Sequence, residues 1–316
     1  MKEEVPYVAE PLSDSFNDAT AECAEARKNK GIAGIRTGFA VLDGMSSGMR
    51  KGQLWTIGGS TGSGKSALAL CIARNVVKDI TLEKIPDIYF ASLEMGRTDL
   101  IHRLVAISTG MDLLNIISWK LTPDEMRKYM NAMGEEKRGA GFIHVDDRSR
   151  LTLADIKKQL DILSGRVNPF EIGDGAAAAK RLGLVIVDYL QLVTPSKSNA
   201  MREREVSESV RGLKEIAREY GVPVIGCSQL NRQYAVGEEP QLWHLRESGE
   251  IEHASDVVVL IGAEDGGVSH MKLAKGRSCK KGPFDLSWTP ACTRFADLSR
   301  REEPAMAAQT GWSGYD

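Results

Sequence analysis

The chain has 316 residues, enough for one large core and short for two. Its net charge of −2 supplies no bulk field for a polyanion, so any nucleic-acid binding must rest on a local patch. Hydrophobic residues at 42% and charged residues at 27% are ordinary for a globular protein, no apolar run approaches the roughly 20 residues of a membrane span, and the opening MKEEVPYVAEPLSDSF lacks signal-peptide character; a cytoplasmic protein is expected. Cys23, Cys71, Cys227, Cys279 and Cys292 are scattered, with no CxxC pair and no histidine at metal-ligand spacing, which reads as reduced thiols rather than a zinc or disulfide framework.

Residues 1–33 are polar, with a weak helical stretch over Ser13–Lys30 that offers little to bury. The globular body starts at Gly34 and runs to Leu298; residues 299–316 lack periodicity and read as a flexible tail. Leu54–Ile57 predicts a short buried strand, Lys65–Val77 a helix packed over it, Asp87–Leu93 a second strand and Phe142–Val145 a third. Ser164–Arg181, rich in Gly and Ala, reads as a surface loop. Leu184–Val187 is a run of branched apolar residues suited to a strand covered on both faces. Met201–Tyr220 is amphipathic, with Val206, Val210, Leu213, Ala217 and Tyr220 on one stripe. Val222–Cys227 returns to the sheet; Val257–Ile261, Val268–Leu273 and Phe284–Trp288 follow as late strands, the last two as a hairpin. Alternating helices and strands predict an α/β fold with a mostly parallel sheet.

The strongest chemical signal is Gly59-Ser60-Thr61-Gly62-Ser63-Gly64-Lys65-Ser66, a complete G-x-x-x-x-G-K-S between an apolar strand and a helix-forming run. Its glycines let backbone N–H groups wrap around phosphate oxygens, Lys65 neutralises their charge, and the Ser66 hydroxyl is placed to ligate Mg²⁺, so ATP and Mg²⁺ are the expected cofactors. The helix start beneath adds its positive dipole end. Asp188 closes the buried run LVIVD and, downstream of such a loop, is placed to support the metal; elsewhere an Asp there is often only a turn residue. It is followed by Tyr189, not by a second acid, so a water-activating carboxylate must come from elsewhere. Glu94, ending DIYFASLE, is the candidate if its strand lies beside the P-loop strand; equally it is an exposed acid in a loop. Gln229, after VPVIGCSQ, is placed either to touch a γ-phosphate or to cap a loop. Lys272–Lys281 holds five cations and no acid: either a solvated hairpin face, or a strand on which Lys275 and Arg277, two apart, reach a phosphate together.

Taken in order, LEM after a strand, VDYLQL, SQLNR, LRESGEIE and K-x-R resemble the C-terminal motor of the DnaB-type replicative DNA helicases over roughly Gly34–Leu298. The resemblance implies a RecA-like P-loop NTPase core with a C-terminal β-hairpin, acting as a homohexameric ring that translocates on single-stranded DNA at a replication fork, 5′ to 3′. It assigns Lys65 and Ser66 to nucleotide and metal, Asp188 to Mg²⁺ and Glu94 to the attacking water. Gln229 becomes the γ-phosphate sensor, and Lys275 and Arg277 act in trans on the neighbour's nucleotide. Arg246, Glu247 and Gly249 become the DNA-contacting loop. The stretch Ser13–Lys30 then matches a linker helix packed on the adjacent subunit. The family's separate N-terminal domain has no counterpart in the sequence, so primase binding does not transfer, and a stand-alone motor would suit a phage or mobile element. Two other readings share the motifs: a RecA- or KaiC-like ATPase that does not unwind, and a helicase-derived, ATP-binding accessory or loader.

Overall fold

The computed structural model describes residues 11–79, 81–82, 84–166, 182–194, 202–231, 234, 238–245 and 248–298. In chain order these form α1 (Phe16–Lys28), α2 (Ala40–Ser46), β1 (Leu54–Gly59), α3 (Lys65–Lys78), β2 (Asp87–Ser92), α4 (Arg97–Thr109), α5 (Leu113–Ile117), α6 (Pro123–Ala140), β3 (Ile143–Asp146), β4 (Leu151–Thr152), α7 (Leu153–Leu163), β5 (Leu182–Asp188), β6 (Val193–Thr194), α8 (Arg202–Tyr220), β7 (Val224–Gln229), α9 (Ser248–Ala254), β8 (Val257–Asp265), β9 (Val268–Gly276), β10 (Gly282–Thr289) and β11 (Arg294–Ala296). No described helix is long and apolar enough to cross a membrane. The Gly- and Ala-rich segment 167–181 and the tail from residue 299 lie outside the described residues.

Nine strands form one sheet in the order β11-β10-β9-β8-β1-β7-β5-β2-β3. The six from β8 to β3 are parallel, as the alternating pattern predicts, and β9, β10 and β11 close one end antiparallel. The expected hairpin is the β9–β10 pair. Strands β1, β5 and β7 are buried along nearly their whole length, which is why their sequences are apolar runs rather than alternations. One face packs on α3 through Leu68, Ile72 and Val76; the other packs on α8 through Val206, Val210, Leu213 and Ala217, the stripe expected from its periodicity.

Two parts of the surface remain apolar. In α1 no residue is buried, and Leu12 and Phe16 are exposed at its start. On the α5–α6 side, Leu114, Ile117, Trp119 and Met130 are exposed above a small core of their own.

Candidate functional site

The parallel strands end together at one edge, and loops leaving them meet in a cleft of about 380 Å³ lined by Gly62, Gly64, Lys65, Ser66, Glu94, Asp188 and Gln229, among others. The loop after β1 requires its glycines. A Cβ on Gly59 would lie 2.3 Å from Ser63 Oγ, and Gly62 and Gly64 hold φ of +80° and +94°. Gly64 also lies against the stacked rings of Trp288 and Phe295, so a side chain there would strike them. Lys65 opens α3, and its ammonium folds back over the loop to the Ser60 carbonyl at 2.7 Å.

Sheet register brings the other residues in. Gly59 pairs with Gln229 across β1 and β7, so the glutamine stands beside the start of the loop. Asp188 ends β5, almost fully buried, and its Oδ2 has no hydrogen-bond partner within the protein. Burial pushes its carboxyl up, opposed by hydrogen bonds from Ser66 and Cys227. Burial likewise pushes the Lys65 ammonium down, against the pull of Cys227, Asp188 and Glu94. A buried, half-satisfied carboxylate beside a serine hydroxyl, under a glycine cradle with one lysine, is a donor set that fits Mg²⁺ and polyphosphate. Among the described residues no cluster of three or more His, Cys, Asp or Glu could hold a metal, so an ion here takes its remaining ligands from phosphate and water.

Glu94 reaches the cleft by a different route from the one its sequence suggests. Its strand, β2, is not next to β1; β7 and β5 stand between them. The acid arrives because the Leu93 N–H donates to the Asp188 carbonyl at 2.9 Å, which ties the end of β2 to β5 and sets the next residue on the rim. Arg103 of α4 and the Met95, Tyr189, Trp288, Pro290 and Thr293 walls carry no sequence motif that marks them; only tertiary packing of α4 against the Pro290–Cys292 turn brings them to the cleft.

Lys275 and Arg277 are absent from this cleft. Gly276 pairs with Val257, and Val257 with Trp55, whereas the loop leaves the sheet after Gly59. Four residues of strand, about 13 Å at ~3.3 Å each, separate the two levels, and the two cations stand at the opposite edge of the sheet. The premise that both lie on one strand is also corrected: β9 ends at Gly276, a register shift at Val258/Val259 interrupts its pairing, and Arg277 is one residue beyond. Both nevertheless converge on the corner between α9 and β8. Lys275 Nζ donates to the Glu252 carbonyl and, at 3.5 Å, to that of His253; Arg277 Nε lies 3.7 Å from Asp256. Burial, and then the neighbouring Arg277, push the Lys275 ammonium down. Of the DNA-loop candidates, Gly249 lies in the first turn of α9, and Arg246 and Glu247 lie outside the described residues.

The family of DnaB-like helicase C-terminal domains matches residues 34–297. The chain belongs to that family. It is 32% identical over 286 residues to the replicative DNA helicase DnaB of Geobacillus stearothermophilus, covering 87% of this chain and 59% of that one. To the DnaB of Leifsonia xyli subsp. xyli it is 33% identical over 300 residues, covering 92% and 62%. The chain therefore spans about three-fifths of these relatives. Among solved structures it resembles an isolated ATPase domain, with a TM-score of 0.80 and 26% identity over 92% of this chain and 100% of that one. A DnaB-like replicative helicase, described with its interactions with primase, gives 0.77 and 26% over 92% and 68%.

Proposed function

We propose that this DnaB-family chain is the ATP-driven motor of a replicative DNA helicase, a homohexameric ring that moves 5′ to 3′ on single-stranded DNA and excludes the other strand. The observation that carries the reading is the division of charge across the sheet: the phosphate cradle and its acids stand at one edge, and Lys275 and Arg277 at the other. A chain built this way completes its site only with a second copy.

In this reading Gly59–Ser66 grip the triphosphate, with Lys65 between the β- and γ-phosphates. Ser66 and Asp188 hold Mg²⁺, which when bound neutralises charge on the phosphate oxygens. Glu94 orients the attacking water and accepts its proton. Gln229, beside the loop, senses the γ-phosphate. Lys275 and Arg277 of the adjoining copy stabilise the transferring phosphoryl group. Arg246, Glu247 and Gly249 contact the DNA backbone, a contact that is sequence-tolerant and salt-sensitive. The exposed Leu12 and Phe16 of one copy and the exposed Leu114, Ile117, Trp119 and Met130 of the next supply complementary apolar surfaces, with residues 1–33 as the linker, 34–298 as the motor and 299–316 as a tail. The protein acts in the cytoplasm of a bacterial host, in the replication system of a phage or other mobile element.

Two assays test the function together: ATP hydrolysis with and without single-stranded DNA, and unwinding of a forked duplex. Stimulated hydrolysis with unwinding is expected. Stimulation without unwinding favours the RecA- or KaiC-like reading, and slow turnover indifferent to DNA favours the accessory protein.

A further inference from the structure

Asp256, the residue between α9 and β8, lies outside the cleft yet touches both the base of the P-loop strand and the corner that carries the cations. Its side chain is 7% exposed, and its two oxygens are divided between different partners. Oδ2 accepts the Leu54 N–H at 2.8 Å and a hydrogen bond from the Lys214 ammonium, which fixes the carboxylate to the base of β1 and to α8. Lys214 itself is held by the Gly52 carbonyl at 2.7 Å. Oδ1 is thereby turned outward, 3.7 Å from Arg277 Nε. The Asp256 carbonyl accepts the Arg277 N–H as well, at 3.3 Å, so the arginine is held at backbone and side chain.

We propose that Asp256 is the positioning residue for the trans-acting Arg277, an inference that rests on the shared-site reading of the function. The chemistry follows from the shape of guanidinium. A carboxylate at Nε fixes the plane and long axis of the group and leaves both terminal nitrogens free for a bidentate grip on phosphate. Arg277 is 65% exposed, so its outer end is available while its inner end is anchored. The anchor is rigid because Lys214 and Leu54 hold the other oxygen; without them Asp256 would turn freely and the arginine with it. Lys275 is seated on the same corner by the Glu252 and His253 carbonyls, so both cations are presented from residues 252–256.

Mixed assemblies provide the test. Lys65→Ala loses the phosphate grip and keeps its Arg277; Arg277→Ala does the reverse; mixing them is the control. No recovery of ATP hydrolysis in that control overturns the shared-site reading and this inference with it. With recovery in hand, Asp256→Asn, which keeps a carbonyl oxygen for the Leu54 N–H, is expected to behave as a defect on the arginine side. Alone, its kcat should fall about 10²-fold, the cost of misplacing a reacting group by about 1 Å, while its Kd for a non-hydrolysable nucleotide stays within about twofold of the unmodified chain. Mixed with Lys65→Ala it should regain hydrolysis; mixed with Arg277→Ala it should not. Recovery with Arg277→Ala, or recovery with neither partner, overturns the inference, since Asp256 would then serve its own chain's strand rather than the arginine.

Discussion

Replacing Arg277 with alanine separates binding from catalysis more sharply than any other single change. The side chain is 65% exposed and makes one ion pair, at 3.7 Å, so its loss removes little from the fold. It stands about four strand residues, roughly 13 Å, below the level at which its own phosphate loop begins, so the chain's own nucleotide never touches it. Nucleotide affinity of Arg277→Ala should therefore match the unmodified chain. An arginine supplied in trans is worth about 10³–10⁵ in rate, or about 4–7 kcal/mol of barrier, and kcat of the assembled variant should fall by that order. Equilibrium titration with a fluorescent nucleotide measures the first quantity, and steady-state hydrolysis at saturating single-stranded DNA the second. A large loss of affinity in the isolated chain, or an unchanged kcat in the assembly, would refute the reasoning.

Glu94→Gln should keep nucleotide and magnesium affinity and lower kcat by about 10²–10⁴, as expected for loss of a general base; single-turnover hydrolysis checks it. Gly59→Ala should abolish nucleotide uptake with the fold intact, because its methyl group would lie 2.3 Å from Ser63 Oγ and collapse the cradle; calorimetric titration reads the first and circular dichroism the second. Glu136, 7% exposed at its side chain, binds Arg74 at 3.0 Å and also Lys78, joining α6 to the helix that starts at the phosphate loop. Burial alone would raise its carboxyl, but hydrogen bonds from Arg74, Lys78 and Ser108 leave it below the usual range. A carboxyl depressed by folding contributes stability above its unfolded pKa and loses it as pH falls through the folded value. Glu136→Gln should cost about 3 kcal/mol in urea unfolding at pH 7, the low end for breaking a buried ion pair because both cations keep some water, and the difference should shrink in acid below about pH 4.

What the sequence discloses, and what it withholds, follows from the range of the interactions involved. The phosphate loop is legible because its glycines, lysine and serine act within eight consecutive residues, and the strands are legible because burial on both faces imposes apolar runs. Helices α6 and α7 are not among the elements expected from the sequence, although local signals mark them: Thr122 and Glu125 form a capping box with Pro123 in the first turn, and Thr152 with Asp155 forms another. Glu94 is placed in the cleft for a reason other than strand adjacency, since strand order is set by crossovers that no local pattern encodes. The cleft walls from Trp288 to Thr293 depend on contacts across more than 200 residues, and the role of Asp256 on register between β1, β8 and β9; neither is written in any short motif.

The central claim is that the phosphate cradle is finished by cations from another copy. Sizing by light scattering, with a non-hydrolysable ATP analogue and a single-stranded oligonucleotide, tests it most directly. The account predicts a closed assembly of six chains that holds nucleotide and falls apart more readily when Arg277 is replaced. A chain that takes up no nucleotide, or that stays monomeric at every concentration of protein and oligonucleotide, would contradict it.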